Sequence, residues 1–397
     1  MSDGTPSGPG DRHLSAENEE SPCEDSVGAS IGVRLREHDL SAAPAALNLL
    51  ESNAARDRGQ AARLLRELSP AALGGEAPGH IVGVTGPPGA GKSTLLSALL
   101  HTWRESGKSV AMLAVDPSSK RSGGSLLGDR ARIDFDPADK AVLIRSTAAG
   151  ERLGGLAPAT RTAAQALAAA FDVVVIETVG VGQAETEVAD VADTVVVVVQ
   201  PGSGDVLQFL KSGIMETPDV LVVTKADLGQ IALATRRDLG AALRSLGTRE
   251  TRVLAVSSLP PPAGIDELMD ALEEHRTSTD TLARRLRARR SGALLEFVAE
   301  HGERGLRALG GRHAAERLLE REDAGLDAQA LVLALERSAE RTIERSAERA
   351  TEPTDERSAE RATEPTDERT DERATEPTDE PTAEPTERTT EPTDANR

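Results

Sequence analysis

Gly86-Pro-Pro-Gly-Ala-Gly91-Lys92-Ser93 has the spacing GxxxxGK[ST], and it stands between a β-branched run and a helix-like pattern. Glycines at those places let backbone N–H groups converge on phosphate oxygens at a helix N-terminus. Pro87, Pro88, Gly89, Ala90 and Thr94 complete the loop. Lys92 is expected to reach the β- and γ-phosphates, and the Ser93 hydroxyl to ligate Mg²⁺. The expected ligand is a nucleoside triphosphate.

The base is read further along the chain. Thr224-Lys225-Ala226-Asp227 matches [NT]KxD at a strand end, where the Asp227 carboxylate can accept from both N1–H and N2–H₂ of guanine. Adenine offers no such donor pair. Thr224 stands where Asn is more frequent, and Lys225 completes the motif. Ser257, Ser258 and Leu259, one strand later, are the candidates to back the guanine ring. The expected ligands are therefore GTP and GDP.

Between these motifs lie the parts that should sense the γ-phosphate. Asp116 closes a strand, where a carboxylate can support Mg²⁺ through water, and a Gly/Ser-rich loop leads on to Asp129. Glu177-x-x-Gly180 is a DxxG element with Glu for Asp, and the Gly180 N–H can face the γ-phosphate. Val181 follows it, where Ras-like GTPases carry the glutamine that orients water, so intrinsic hydrolysis is expected to be slow. Plainer readings exist: Asp116 as a turn cap before Pro117, and Thr224–Asp227 as a strand-to-helix turn with an acidic cap.

The elements that must position these groups follow from the pattern. Apolar runs without alternation occur at 81–85, 110–115, 142–145, 172–176, 194–199, 220–224 and 252–256, separated by Ala/Leu-rich helical stretches. Such strands are buried on both faces, and the helices supply crossovers. The fold class is α/β: a P-loop NTPase with a doubly wound, mostly parallel sheet and helical extensions at both ends. The expected organisation is a disordered segment 1–38, N-terminal helices 39–78, the nucleotide domain 79–276, a C-terminal helical region 277–337 and a disordered acidic tail 338–397.

The tail carries a 12-residue repeat. "SAERATEPTDER" fills 346–357 and recurs at 358–369, with no large apolar residue to build a shared core. Residues 338–397 hold 19 acidic and 9 Arg residues, a charge of −10, half of the formal −20 of the 397-residue chain. That balance disfavours duplex DNA and anionic membranes as partners. The lone Cys23 allows neither an internal disulfide nor a thiolate cluster, and no 18-residue apolar run is present. A cytoplasmic protein without nucleic-acid or membrane partners is expected.

"ETVGVGQ", "VDPSS…GGSLLGDRARI", "QPGSGDVLQFLKSGI" and "TKAD" together resemble the MeaB/ArgK-type G-protein chaperones of methylmalonyl-CoA mutase, within the SIMIBI class of GTPases. The resemblance spans roughly residues 40 to 335. It implies a GTPase that docks on an adenosylcobalamin-dependent acyl-CoA mutase, gates cofactor loading and protects the enzyme. By position it carries over Gly86–Thr94, Asp116 and Asp129 of a first switch, Glu177–Gln183 of a second, and Lys211. Catalytic roles then fall to Lys92, Asp116, Asp129, Glu177 and Lys211, and Mg²⁺ contacts to Ser93, Asp116, Asp129 and Glu177. A homodimer through the C-terminal helices is also implied. Lys120-Arg121-Ser122 and "RSTAAGERLGG" depart from the family pattern, so the partner is methylmalonyl-CoA mutase or a relative. The alternative is a metallochaperone GTPase for nickel enzymes, which needs Cys/His ligands; the seven histidines show no paired spacing.

Overall fold

The computed structural model describes residues 27–52, 54–116, 133–148, 156–178, 184–202, 218–245, 247 and 251–351. All seven anticipated strands are present: β1 (His80–Thr85), β2 (Val110–Asp116), β3 (Val142–Ala148), β4 (Val173–Thr178), β5 (Thr194–Val199), β6 (Val220–Val223) and β7 (Arg252–Ala255). They form one sheet in the order β3-β2-β4-β1-β5-β6-β7, and every neighbouring pair is parallel. From β1 the chain fills one side, returns to β4 beside β1, and then fills the other side through β5. The direction of winding thus reverses at β1. In open parallel sheets ligands bind outside the carboxyl ends of the strands at that reversal.

Helices cover both faces. α1 (Val27–Arg36), α2 (Ala43–Leu50), α3 (Ala55–Glu67), α4 (Pro70–Leu73), α5 (Lys92–Glu105), α6 (Pro158–Leu167), α7 (Ala184–Ala189) and α8 (Gln230–Ser245) precede β7, and α9 (Ile265–Ser278) follows it. One core joins α1–α3, α6, α7 and α8 to one sheet face, through Ile81, Val174, Ile176 and Val197. The other joins α5 and α9 to the opposite face, through Val82, Val84, Val175 and Val196. β1, β4, β5 and β6 are buried at every residue, which is why their sequences do not alternate.

The expected N-terminal boundary is corrected by α1, which lies inside the span read as disordered. Gly28 and Gly32 are one turn apart on the helix face that meets α3. A Cβ on Gly28 would stand 2.0 Å from the Gln60 carbonyl oxygen, and one on Gly32 would stand 2.7 Å from Glu67 Cβ. That close approach lets Leu35 bury fully and Ile31 almost so. Residues 1–26 lie outside the described residues.

C-terminal to the sheet, α10 (Thr281–Ala308), α11 (Arg312–Arg321) and α12 (Ala328–Thr351) bury Phe297, Leu319, Leu331 and Leu335 in a third core. α12 runs past Ser338, so the expected tail boundary is also corrected. Ala, Glu and Arg are strong helix formers, and Ala339 is buried. The chain divides into two units, Met1–Ser346 and Ala347–Arg397; only 347–351 of the second are described.

α10 is fastened to the amino ends of the strands by arginines. Arg285 forks onto Asp193, with Nε donating to Oδ1 at 2.9 Å, while Arg289 pairs with Glu76 at 2.7 Å and Arg284 with Asp219 at 3.1 Å. Arg285 and Asp193 are almost fully buried, and removing one such partner typically costs about 3–5 kcal/mol.

Candidate nucleotide site

The phosphate loop leaves β1 at a backbone position that only glycine can hold. Gly86 has φ +146°, and a Cβ there would meet the Val198 carbonyl oxygen at 2.0 Å. Gly91, at φ +92°, is the residue before α5, so the first N–H groups of that helix point into the loop. Pro88, Gly89 and Thr94 are exposed, while Ala90 is buried beneath them. Lys92 is buried, and its ammonium donates to the carbonyl oxygens of Gly86 at 2.6 Å and Pro87 at 3.3 Å. The side chain expected to reach phosphates thus closes the loop on itself here.

Ser93 Oγ donates to Glu177 Oε1 at 3.4 Å. Glu177 lies in register with Val84 of β1 and Ala114 of β2, which brings the serine of the phosphate loop and the carboxylate near the end of β4 to one point. Both are hard oxygen donors of the kind Mg²⁺ takes, and 3.4 Å is close to the ~3 Å between adjacent ligands of an octahedral ion at ~2.1 Å. Asp116 ends β2 at the same rim; its backbone is described and its side chain is not. Asp129, Gly180 and Lys211 lie outside the described residues.

The two segments expected to read the base meet in the structure, although Thr224 is turned elsewhere. Asp227 is exposed and accepts from Ser257 Oγ at 2.9 Å, and Ser257 is fixed by paired backbone hydrogen bonds with Ala263. Ser258 is half-buried and Leu259 is 56% exposed, with the Leu259 N–H donating to Ser257 Oγ at 3.4 Å. Thr224 is buried instead. Its hydroxyl lies 2.6 Å from the Ala90 carbonyl oxygen and 3.0 Å from that of Val199, so it ties the phosphate loop to β5. Lys225, at φ +52°, donates to Gln200 Oε1 at 2.7 Å and to the Gly89 carbonyl oxygen at 3.3 Å. Sequence reasoning missed Gln200, although a polar residue directly after a buried strand at the carboxyl rim was the available signal. In sum, an anion-binding helix start, a buried cation, two hard oxygens and a guanine-compatible carboxylate occupy one rim of the sheet.

Comparison with known proteins fits that site. Residues 43–306 match the family model described as methylmalonyl Co-A mutase-associated GTPase MeaB. The chain belongs to this family. The GTPase ArgK of Escherichia coli is 36% identical over 280 residues, which cover 68% of this chain and 82% of that one. A Pyrococcus abyssi protein named as a GTPase is 43% identical over 251 residues, 61% of this chain and 74% of its own. Among solved structures, the crystal structure of an LAO/AO transport system kinase superposes with a TM-score of 0.55 at 28% identity, covering 82% of this chain and 98% of that one. This MeaB-family chain is a GTPase on the α/β scaffold anticipated from its motifs.

The structure also brings together two histidines that spacing did not pair. His80 Nε2 and His275 Nδ1 each lie 2.8 Å from Thr194 Oγ1, and His275 Nε2 lies 3.1 Å from Asp219. They sit at the amino ends of β1 and β5, opposite the nucleotide rim. No helix among the described residues is long and apolar enough to cross a membrane.

Proposed function

We propose that this GTPase serves an adenosylcobalamin-dependent acyl-CoA mutase, methylmalonyl-CoA mutase or a relative, gating cofactor loading and protecting the loaded enzyme. The observation that carries the reading is the match of residues 43–306 to a family described by its association with that mutase. The sequence motifs that resemble the family support it.

In this reading the N–H groups at the start of α5 cradle the phosphates. Lys92 turns from the Gly86 carbonyl oxygen to the β- and γ-phosphates, and Asp227 selects guanine. Ser93 and Glu177 would hold Mg²⁺, with Asp116 and Asp129 in support, and the ion when bound supplies positive charge against the phosphate oxygens. Glu177 holds its carboxylate at the carboxyl end of a buried strand, with Gly180 following. Val181 in the water-orienting position leaves basal hydrolysis slow. A docked mutase would bring Asp129, Gly180 and Lys211 to bear on the nucleotide, and a 10²-fold gain corresponds to roughly 2.7 kcal/mol of barrier.

The proposal includes a cytoplasmic setting and a homodimer through the C-terminal helices, where Leu295 and Leu333 are exposed. The test is direct binding between the purified full chain and a purified cobalamin-dependent mutase, by calorimetry with GDP and with a non-hydrolysable GTP analogue. Nucleotide-dependent association supports the reading. No association in either state overturns it.

A further inference from the structure

Arg161, on α6, uses one amino group to hold Glu187 on α7, with NH2 donating to Oε2 at 2.9 Å. The same oxygen accepts from the Leu156 N–H at 2.7 Å, so one carboxylate gathers α6, α7 and the chain that leads into α6. Val188, the next residue, is fully buried against β1. A Cβ on Gly83 would lie 2.7 Å from Val188 Cγ2 and 3.0 Å from Ala192 Cβ, so α7 rests directly on the strand that becomes the phosphate loop three residues later. α7 is therefore wedged between the Arg161 clasp and β1.

A second observation separates this clasp from ordinary packing. Arg161 is 7% exposed, yet its NH1 has no acceptor among the described residues. The hydroxyl of Thr178, the residue after Glu177 and on the α6/α7 face of the sheet, is fully buried and lacks one too. Buried donors are rarely left unmet, least of all charged ones, because the desolvation cost is then not offset. Asp190, one turn along from Glu187, feels the same surroundings. Although Asp190 is exposed, partial desolvation holds its carboxyl above the usual range, with Arg161 drawing it down and Glu187 raising it.

We propose that Arg161 is a positioning residue for GTP hydrolysis: through Glu187 it seats α7 against the phosphate-loop strand, and its second amino group, which has no acceptor among the described residues, takes one in the GTP-bound form. The inference rests on the GTPase assignment and not on the mutase, so its test uses the full chain and GTP alone. Glu187→Gln keeps the shape of the side chain and removes the charge. It should lower kcat about tenfold while the KM for GTP and the GDP affinity stay near those of the parent, with the melting temperature lowered by a few degrees as the buried guanidinium loses its counter-charge. Arg161→Met should lower kcat equally, Arg161→Lys should recover part of the loss as a point charge without the fork, and the Arg161→Met/Glu187→Gln pair should be no worse than either alone. Either of two results overturns the proposal: a kcat unchanged within twofold in Glu187→Gln and Arg161→Met, or kcat and GDP affinity falling in parallel. A parent chain that turns over no GTP would instead refute the nucleotide site itself.

Discussion

Thr224 Oγ1 lies 2.6 Å from the carbonyl oxygen of Ala90, so the first residue of the guanine motif braces the phosphate loop. In the proposed reading, selectivity is left to Asp227. Thr224→Val removes the hydroxyl at nearly constant volume and leaves a buried carbonyl unmet, at a cost of about 1–3 kcal/mol. GTP and GDP affinities should fall together by about tenfold or more, with base preference unchanged, as measured by calorimetry. A change of base preference would contradict this division of labour.

Asp227→Asn should exchange guanine for xanthine preference, because an amide donates where the carboxylate accepts. The Ser257 hydroxyl that donates to Asp227 can donate equally to the amide oxygen, so the loop should keep its shape. Competition of GTP, XTP and ATP for the variant decides the matter. Unaltered guanine preference, or equal affinity of the parent for ATP and GTP, would contradict the assignment.

His80 makes stability depend on pH. Burial lowers its pKa from 6.5 to about 4; Asp193 opposes that shift, whereas Arg276, Arg285 and His275 reinforce it. Its folded pKa lies below the unfolded one, so the stabilisation is present above pH 6.5 and is lost as pH falls toward 4. The span corresponds to roughly 3 kcal/mol. Urea unfolding followed by the single Trp103, buried on α5, should show this loss in the parent and a flatter profile in His80→Asn. Identical profiles would sink the claim.

Truncation should separate helix from tail. Ending the chain at Thr351 should leave the melting temperature within a few degrees of the full chain. Ending it at Leu335 cuts α12 and removes the buried Ala339, and should lower the melting temperature clearly. Equal melting temperatures for the two truncations would contradict the packing of α12.

The strands were legible because a strand buried on both faces must be uniformly apolar, as in "VVVVVQ", and the phosphate loop because its glycines answer a backbone requirement. The helix of Gly28 and Gly32 was not legible, since small residues signal close helix packing and loops alike. The repeat hid the end of α12, because Ala, Glu and Arg suit a solvated tract as well as a helix. The bridge from His80 to Thr194 joins residues 114 apart in sequence, and that from Thr194 to His275 residues 81 apart; the pairing of β1 with β5 and the packing of α9 bring them together. Thr224 was placed at the base by motif, whereas its short side chain is directed to Ala90. The pairing of Ser93 with Glu177 was implicit in two motifs, and the order of β1 and β4 made it physical.

The most direct measurement follows two signals in one reaction: the GTP hydrolysis rate of the full chain, and adenosylcobalamin loading of a purified cobalamin-dependent mutase added to it. The account predicts slow hydrolysis alone, at least a 10²-fold rise with the mutase, cofactor loading that differs between GTP and GDP, and loss of every effect in Lys92→Ala. A cobalamin-dependent mutase that changes neither the hydrolysis rate nor its own cofactor loading would contradict the account, while the GTPase itself would stand.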